Sequence, residues 1–138
     1  MNLVDGVVSS DKFWYEINDT FGSDGGIYML YCEDKQGQVI PVARLLGEDH
    51  DGILYIGMAT SFLDRVIELK KSLSPEYISS GHECGVRYKS NIAIAKKFPF
   101  SMLRLTLVAT DEPRKAEQEA LSNYLNKFGE FPPLNRVA

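Results

Sequence analysis

Apolar and polar positions along this chain follow two rhythms that predict its elements. Residues 26–33, GIYMLYCE, and 53–57, ILYIG, are short apolar runs bounded by turn residues, the pattern of buried strands. Residues 101–110, SMLRLTLVAT, alternate strictly: Leu103, Leu105, Leu107 and Ala109 share one face, and Met102, Arg104, Thr106 and Val108 the other. Elsewhere the period is helical. Phe13, Trp14, Ile17 and Phe21 recur at three- and four-residue spacing behind Ser10, a capping residue, and predict a helix over about 11–20. Phe62, Leu63, Val66, Ile67 and Leu73 predict a second helix behind Thr60 and Ser61, and Ile92 to Phe98 a third that Pro99 stops. A last helix is expected from Asp111 as cap, through Pro113 in the first turn, to Phe128, with Gly129 ending it.

The intervening polar stretches change this picture little. Asp34 to Gln38 reads as a turn with Gly37 at a positive φ, and Gly47 to Gly52 as another. Between them Val39 to Leu46 is extended but contains Pro41, which predicts an edge strand or an excursion. Five acids, Glu33, Asp34, Glu48, Asp49 and Asp51, cluster at these turns without liganding spacing and read as solvated. Residues 1–8 show no clear register, and 79–85 read as a loop. The order is helix, two or three strands, helices, strand, helix. That predicts an α+β domain with a small, mostly antiparallel central sheet flanked by helices.

The 138 residues fit one domain, 1–138. No apolar run approaches the roughly 20 residues of a membrane helix. The opening MNLVDGVVSS is a poor signal peptide, so the expected location is cytoplasmic and no membrane partner is expected. Two cysteines are too few for a disulfide framework, and Cys32, inside a strand run, reads as a buried free thiol. The sequence His82-Glu83-Cys84 lacks a second Cys/His pair to complete a zinc tetrahedron. A net charge of −4 argues against extended phosphate gripping but leaves room for a local basic site. Lys70, Lys71, Arg87, Lys89, Lys96, Lys97 and Arg104 give the middle of the chain that bias.

The candidate chemistry lies in the two strand triplets and in two of the helices beyond them. Gly26-Ile27-Tyr28 and Tyr55-Ile56-Gly57 place a tyrosine on each of two strands that can pair. Arg65 comes ten residues after Tyr55, at the margin of the helix's buried stripe, and Glu117 shares the inward face of the last helix with Ala120 and Leu121. Singly, each has an ordinary reading: core tyrosines, a solvated arginine, an inward acid bridging to a lysine.

Together and in this order, the parts resemble the GIY-YIG nuclease superfamily. The resemblance runs over about 26–135 and includes the ending Pro132-Pro133-Leu134-Asn135, similar to the family's terminal Pro-x-x-Asn element. It implies a three-stranded sheet flanked by helices and a metal-dependent endonuclease that hydrolyses phosphodiester bonds in nucleic acid, with DNA as the expected partner. The implied roles are Tyr28 as general base, Tyr55 positioning water, Arg65 holding phosphate oxygens, and Glu117 binding one Mg²⁺ or Mn²⁺. Gly26, Gly57 and Asn135 support. His82, seventeen residues after Arg65, is the candidate histidine, set against a loop histidine bonded locally. Arg87 and Lys70 are candidate substrate-binding cations.

Two features depart from the pattern. Met58 stands where the family often has lysine, and 26 residues separate Tyr28 from Tyr55, a long spacing nearer the restriction-endonuclease-like members. The alternative function is a binding module of the same fold, with weakened catalysis and a protein or nucleic-acid partner or a second copy. A third reading is an unrelated α+β domain.

Overall fold

The structure, a computed structural model, describes residues 3–76 and 82–135. Four strands, β1 (Leu3–Val7), β2 (Gly26–Cys32), β5 (Tyr55–Ala59) and β6 (Leu103–Ala109), form one antiparallel sheet in the order β1-β6-β2-β5. Helices α1 (Asp11–Phe21), α2 (Phe62–Leu73), α3 (Glu83–Ser90), α4 (Ile92–Lys97) and α5 (Pro113–Phe128) surround it. A separate hairpin, β3 (Val42–Arg44) with β4 (Gly47–Asp49), fills the stretch between β2 and β5.

The strict alternation of 103–109 places β6 inside the sheet. Leu103, Leu105 and Leu107 are fully enclosed, each contributing about 1.5–3 kcal/mol. They join Tyr28, Leu30 and Cys32 of β2 and the inward residues of α1, α2 and α3, including Phe13, Ile17, Phe62, Val66, Leu69 and Tyr88, in the main core. The other face of the sheet is covered by α5, where Tyr124 and Phe128 pack with Ile56, Met29 and Ile53. Gly129 ends α5 in the left-handed conformation, φ 77°, its N–H returning to Leu125.

Four expectations are corrected. The sheet has four strands rather than three, because Leu3–Val7 pairs with β6 from Leu3↔Val108 to Val7↔Arg104. The polar residue that interrupts this strand is what anchors it. Asp5 accepts from Arg104 at 2.7 and 2.9 Å, from Tyr31 at 2.6 Å and from Thr106 at 2.6 Å. Of the expected loop 79–85, residues 79–81 lie outside the described residues, whereas His82 caps α3 and 83–85 are its first turn. Asp49 is buried rather than solvated, and accepts from the Asp51 and Ile53 N–H groups and from the Tyr124 hydroxyl at 2.9 Å. The cap position of α5 is Glu112 rather than Asp111. The α+β class, the two facing strands and the helices at 62, 92 and 113 stand as the sequence pattern predicts.

The β3–β4 hairpin is tied to the end of α5. Leu46 N–H donates to Phe128 O at 3.0 Å, Leu45 N–H to Glu130 at 2.7 Å, and Arg44 to Phe131 O and Glu130. Together with Asp49 on Tyr124, these bonds give the excursion a fixed seat. No described helix is long and apolar enough to cross a membrane.

Candidate functional site

Strand pairing brings the two triplets face to face. β2 and β5 are antiparallel neighbours with Tyr28 opposite Gly57 and Gly26 opposite Ala59. The ring of Tyr28 lies over Gly57: a Cβ at 57 would stand 2.5 Å from Tyr28 Cζ and 2.6 Å from its hydroxyl. Gly26 is equally constrained, since a Cβ there would run into Val108 O of β6 and stand 2.9 Å from the Phe62 ring. Both glycines let something cross the backbone closely.

Around Tyr28 three further residues gather. Its ring centroid is 6.0 Å from that of Tyr55, and Tyr55 meets the His82 ring edge-on at 5.6 Å. The Tyr28 hydroxyl is 3.0 Å from His82 Nε2, and the positive charge of Arg65 on α2 acts on it. His82 is the N-cap of α3, and its Nδ1 accepts the Cys84 N–H at 3.2 Å. A nitrogen that accepts carries no proton, so neutral His82 has its hydrogen on Nε2 and donates it to Tyr28. Burial, with Arg65 second, lowers the His82 pKa to about 4, which keeps the ring neutral near pH 7.

The electrostatics arise from enclosure. Burial pushes Tyr28 above the ordinary phenol range, with Tyr55 adding to the rise and Arg65 opposing it. Tyr55 is pushed up to about 12, mainly by burial, with Cys84 adding and Arg65 again opposing. Glu117, half-buried on α5, is raised by desolvation, while Arg114 and Arg65 pull it back. Its charge is also felt at Tyr55.

Arg65 opens onto a cleft of about 390 Å³ whose wall includes Met58, Ser61, Asp64 and Glu68. That wall takes Arg65 from the candidate set, and not the tyrosines, His82 or Glu117. Glu68 holds Arg65 at 2.9 Å, an i,i+3 pair on α2. Sequence reasoning passed over Glu68, Asp64 and Arg114, although the Arg65–Glu68 spacing was visible.

Asn135 is placed on the sheet edge. Its Oδ1 accepts the Ile56 N–H and its Nδ2 donates to Ile56 O, both at 2.9 Å, and Leu134 N–H donates to Leu54 O. The outward backbone groups of Ile56 on edge strand β5 are thereby satisfied. Arg87 donates to Leu134 O and to Glu83, fixing this terminal segment. Lys70 lies 3.5 Å from Asp11 and 4.9 Å from the Trp14 ring centroid, tying α2 to α1. Of the candidate residues, Tyr28, Tyr55, Arg65 and His82 form one contiguous group, Glu117 joins it through its field, and Asn135, Arg87 and Lys70 are engaged within the protein.

Among the described residues no three His, Cys, Asp or Glu side chains gather as a metal cage. No protein-family model, curated protein or solved structure matches this chain.

Proposed function

We propose that the protein is a GIY-YIG-type phosphodiester hydrolase that cuts nucleic acid, DNA in the first instance. The observation that carries this reading is the gathering of Tyr28, Tyr55 and His82 from β2, β5 and α3 through one hydrogen bond and two ring contacts, with the charge of Arg65 on α2 acting on all three. Their identities suit one reaction.

In that reaction Arg65, reaching the open cleft, holds non-bridging phosphate oxygens with its fork of donors. Tyr55, the less enclosed tyrosine, orients the attacking water. The water oxygen bonds to phosphorus, the bond to the leaving sugar oxygen breaks, and the water's proton passes to Tyr28. Burial outweighs the opposing pull of Arg65 and keeps Tyr28 protonated in the free protein. His82 Nε2–H donates to its oxygen and the charge of Arg65 favours the phenolate, and Tyr28 would act as base once the ion that Glu117 would hold adds further positive charge.

A single half-buried carboxylate, Glu117, fits a hard divalent ion that keeps most of its ligands as water and substrate phosphate, as Mg²⁺ does. Such an ion supplies positive charge to the developing leaving oxygen. Glu117 is the residue that would hold it.

A second reading, a binding module of this fold with weakened catalysis, draws on Met58 in the cleft wall and on the complete enclosure of Tyr28. A plasmid-nicking assay with Mg²⁺ or Mn²⁺, run beside Glu117→Ala, separates the two. Metal-dependent nicking that Glu117→Ala abolishes supports the hydrolase. Equal activity in both proteins, or none in either across metals, overturns it; retained DNA binding without cutting then favours the module.

A further inference from the structure

Two surface features lie outside the tyrosine cluster. The first is a knob. The β3–β4 turn is made of Leu45 and Leu46, which are 75% and 65% exposed. Two-residue hairpin turns ordinarily use Asn, Asp or Gly, so a Leu-Leu tip is not explained by turn chemistry. Nor is it loose: backbone bonds from Leu45 to Glu130 and from Leu46 to Phe128, with Arg44 on Phe131 and Asp49 on Tyr124, hold the tip in place. Glu48 and Asp51 stand exposed on the same hairpin and its adjoining turn.

The second is a groove. Between the end of α2 and helices α3 and α4 runs an apolar trough of about 500 Å³, floored by Leu73, Tyr88 and Phe100. Ile92 on its wall is 74% exposed. Lys89 and Lys96 rim it, and Lys97 comes next on the same helix. The groove is open and its lining apolar, and the Lys96 charge beside it suits an acidic partner.

We propose that the Leu45–Leu46 knob of one molecule seats in the Leu73–Tyr88–Ile92–Phe100 groove of a second copy of this chain, with Glu48 and Asp51 facing Lys96. Apolar tip meets apolar trough, and an acidic flank meets a basic rim. The trough is large enough for two leucine side chains. The knob is tied to α5 on one face of the sheet, and the groove is built from helices packed on the other. The contact is therefore head-to-tail, and the assembly grows with concentration or closes into a ring.

This arrangement makes an asymmetric demand that sedimentation can read. The full chain is expected to gain mass with concentration. Leu46→Asp, at the exposed tip, and Ile92→Asp, on the exposed groove wall, should each associate about 30-fold more weakly, the size of an interface anchor. Mixed together, the two variants retain one intact knob and one intact groove, so they should form a pair and stop there. Lys96→Glu should weaken association, and Glu48→Lys in the same chain should restore it. Circular dichroism of each variant checks that the fold is kept. A chain that stays monomeric at the highest soluble concentration overturns the proposal. So does an assembly that survives both aspartate variants, or a mixture that gains nothing over its components.

Discussion

Tyr28 rests on Gly57. The two are register partners on neighbouring strands, and the ring crosses the glycine so closely that no side chain fits beneath it. Gly57→Ala must therefore displace the tyrosine or the strand. The expected cost is about 2 kcal/mol, seen as a fall in Tm of roughly 6–10 °C. Because Tyr28 cannot stay against His82 if it moves, the proposed nicking activity should fall further than stability does. A variant with unchanged Tm would show that the ring is not seated as described.

His82 makes the fold sensitive to acid. Its pKa is lowered in the folded protein from 6.5 to about 4, so the unfolded chain takes up the proton first. The associated stability is present above about pH 6.5 and is lost as pH falls toward 4. The charged neighbours that act on the ring, Arg65, Glu68, Glu83 and Arg87, are of both signs. Asparagine keeps an acceptor for the Cys84 N–H but does not titrate. Denaturant titrations should show wild type losing on the order of 2 kcal/mol more than His82→Asn over that range. Parallel pH profiles for the two proteins would remove His82 as the cause.

Much of this arrangement is legible in the order of residues alone. Period-two alternation places β6, apolar runs place β2 and β5, and helical spacing places α1, α2 and α5. Two of the features that escape, β1 and Asp49, have a common cause: partners far away in sequence. β1 looks irregular because Asp5 and Gly6 break its apolar run, yet Asp5 is satisfied by Arg104 and Thr106 about a hundred residues on. Helix α3 carries few large apolar residues, and its cap is a histidine rather than serine or aspartate. Asp49 resembles its acidic neighbours until Tyr124 supplies its donor. The tyrosine and arginine candidates are readable from spacing. The tautomer of His82 is not, since it depends on a helix start that local pattern does not reveal.

Asn135 should matter more than its place near the chain's end suggests. Asparagine's paired donor and acceptor satisfy both outward groups of Ile56 at once. Asn135→Ala leaves them without a partner, at about 2 kcal/mol. Amide hydrogen exchange at Ile56 should speed up well before exchange in β6. Unchanged protection at Ile56 would contradict the strand-closing role.

Arg65 is paired to a neighbour that, on the proposed reading, competes with substrate for it. Glu68 pairs with it at the mouth of the cleft, both side chains being substantially exposed. A pair of that kind is worth up to about 1 kcal/mol. Glu68→Gln should release the guanidinium and tighten nucleic-acid binding by up to about 5-fold, in contrast to Arg65→Ala, which should weaken it. If Glu68→Gln binds more weakly instead, the carboxylate is a working part of the site rather than a competitor.

The position of β6 between β1 and β2 has a consequence for a chain made from one end. The β2–β5 pair is complete once Ala59 has emerged, but its open side awaits a strand that ends at Ala109. At ribosomal speed those residues take roughly 3–10 s. For that interval the flank of β2 that β6 will occupy has unpaired backbone groups, and Leu30 and Tyr28 lack the leucines that later enclose them. Nascent chains arrested between these two points should be the ones that chaperones and proteases find.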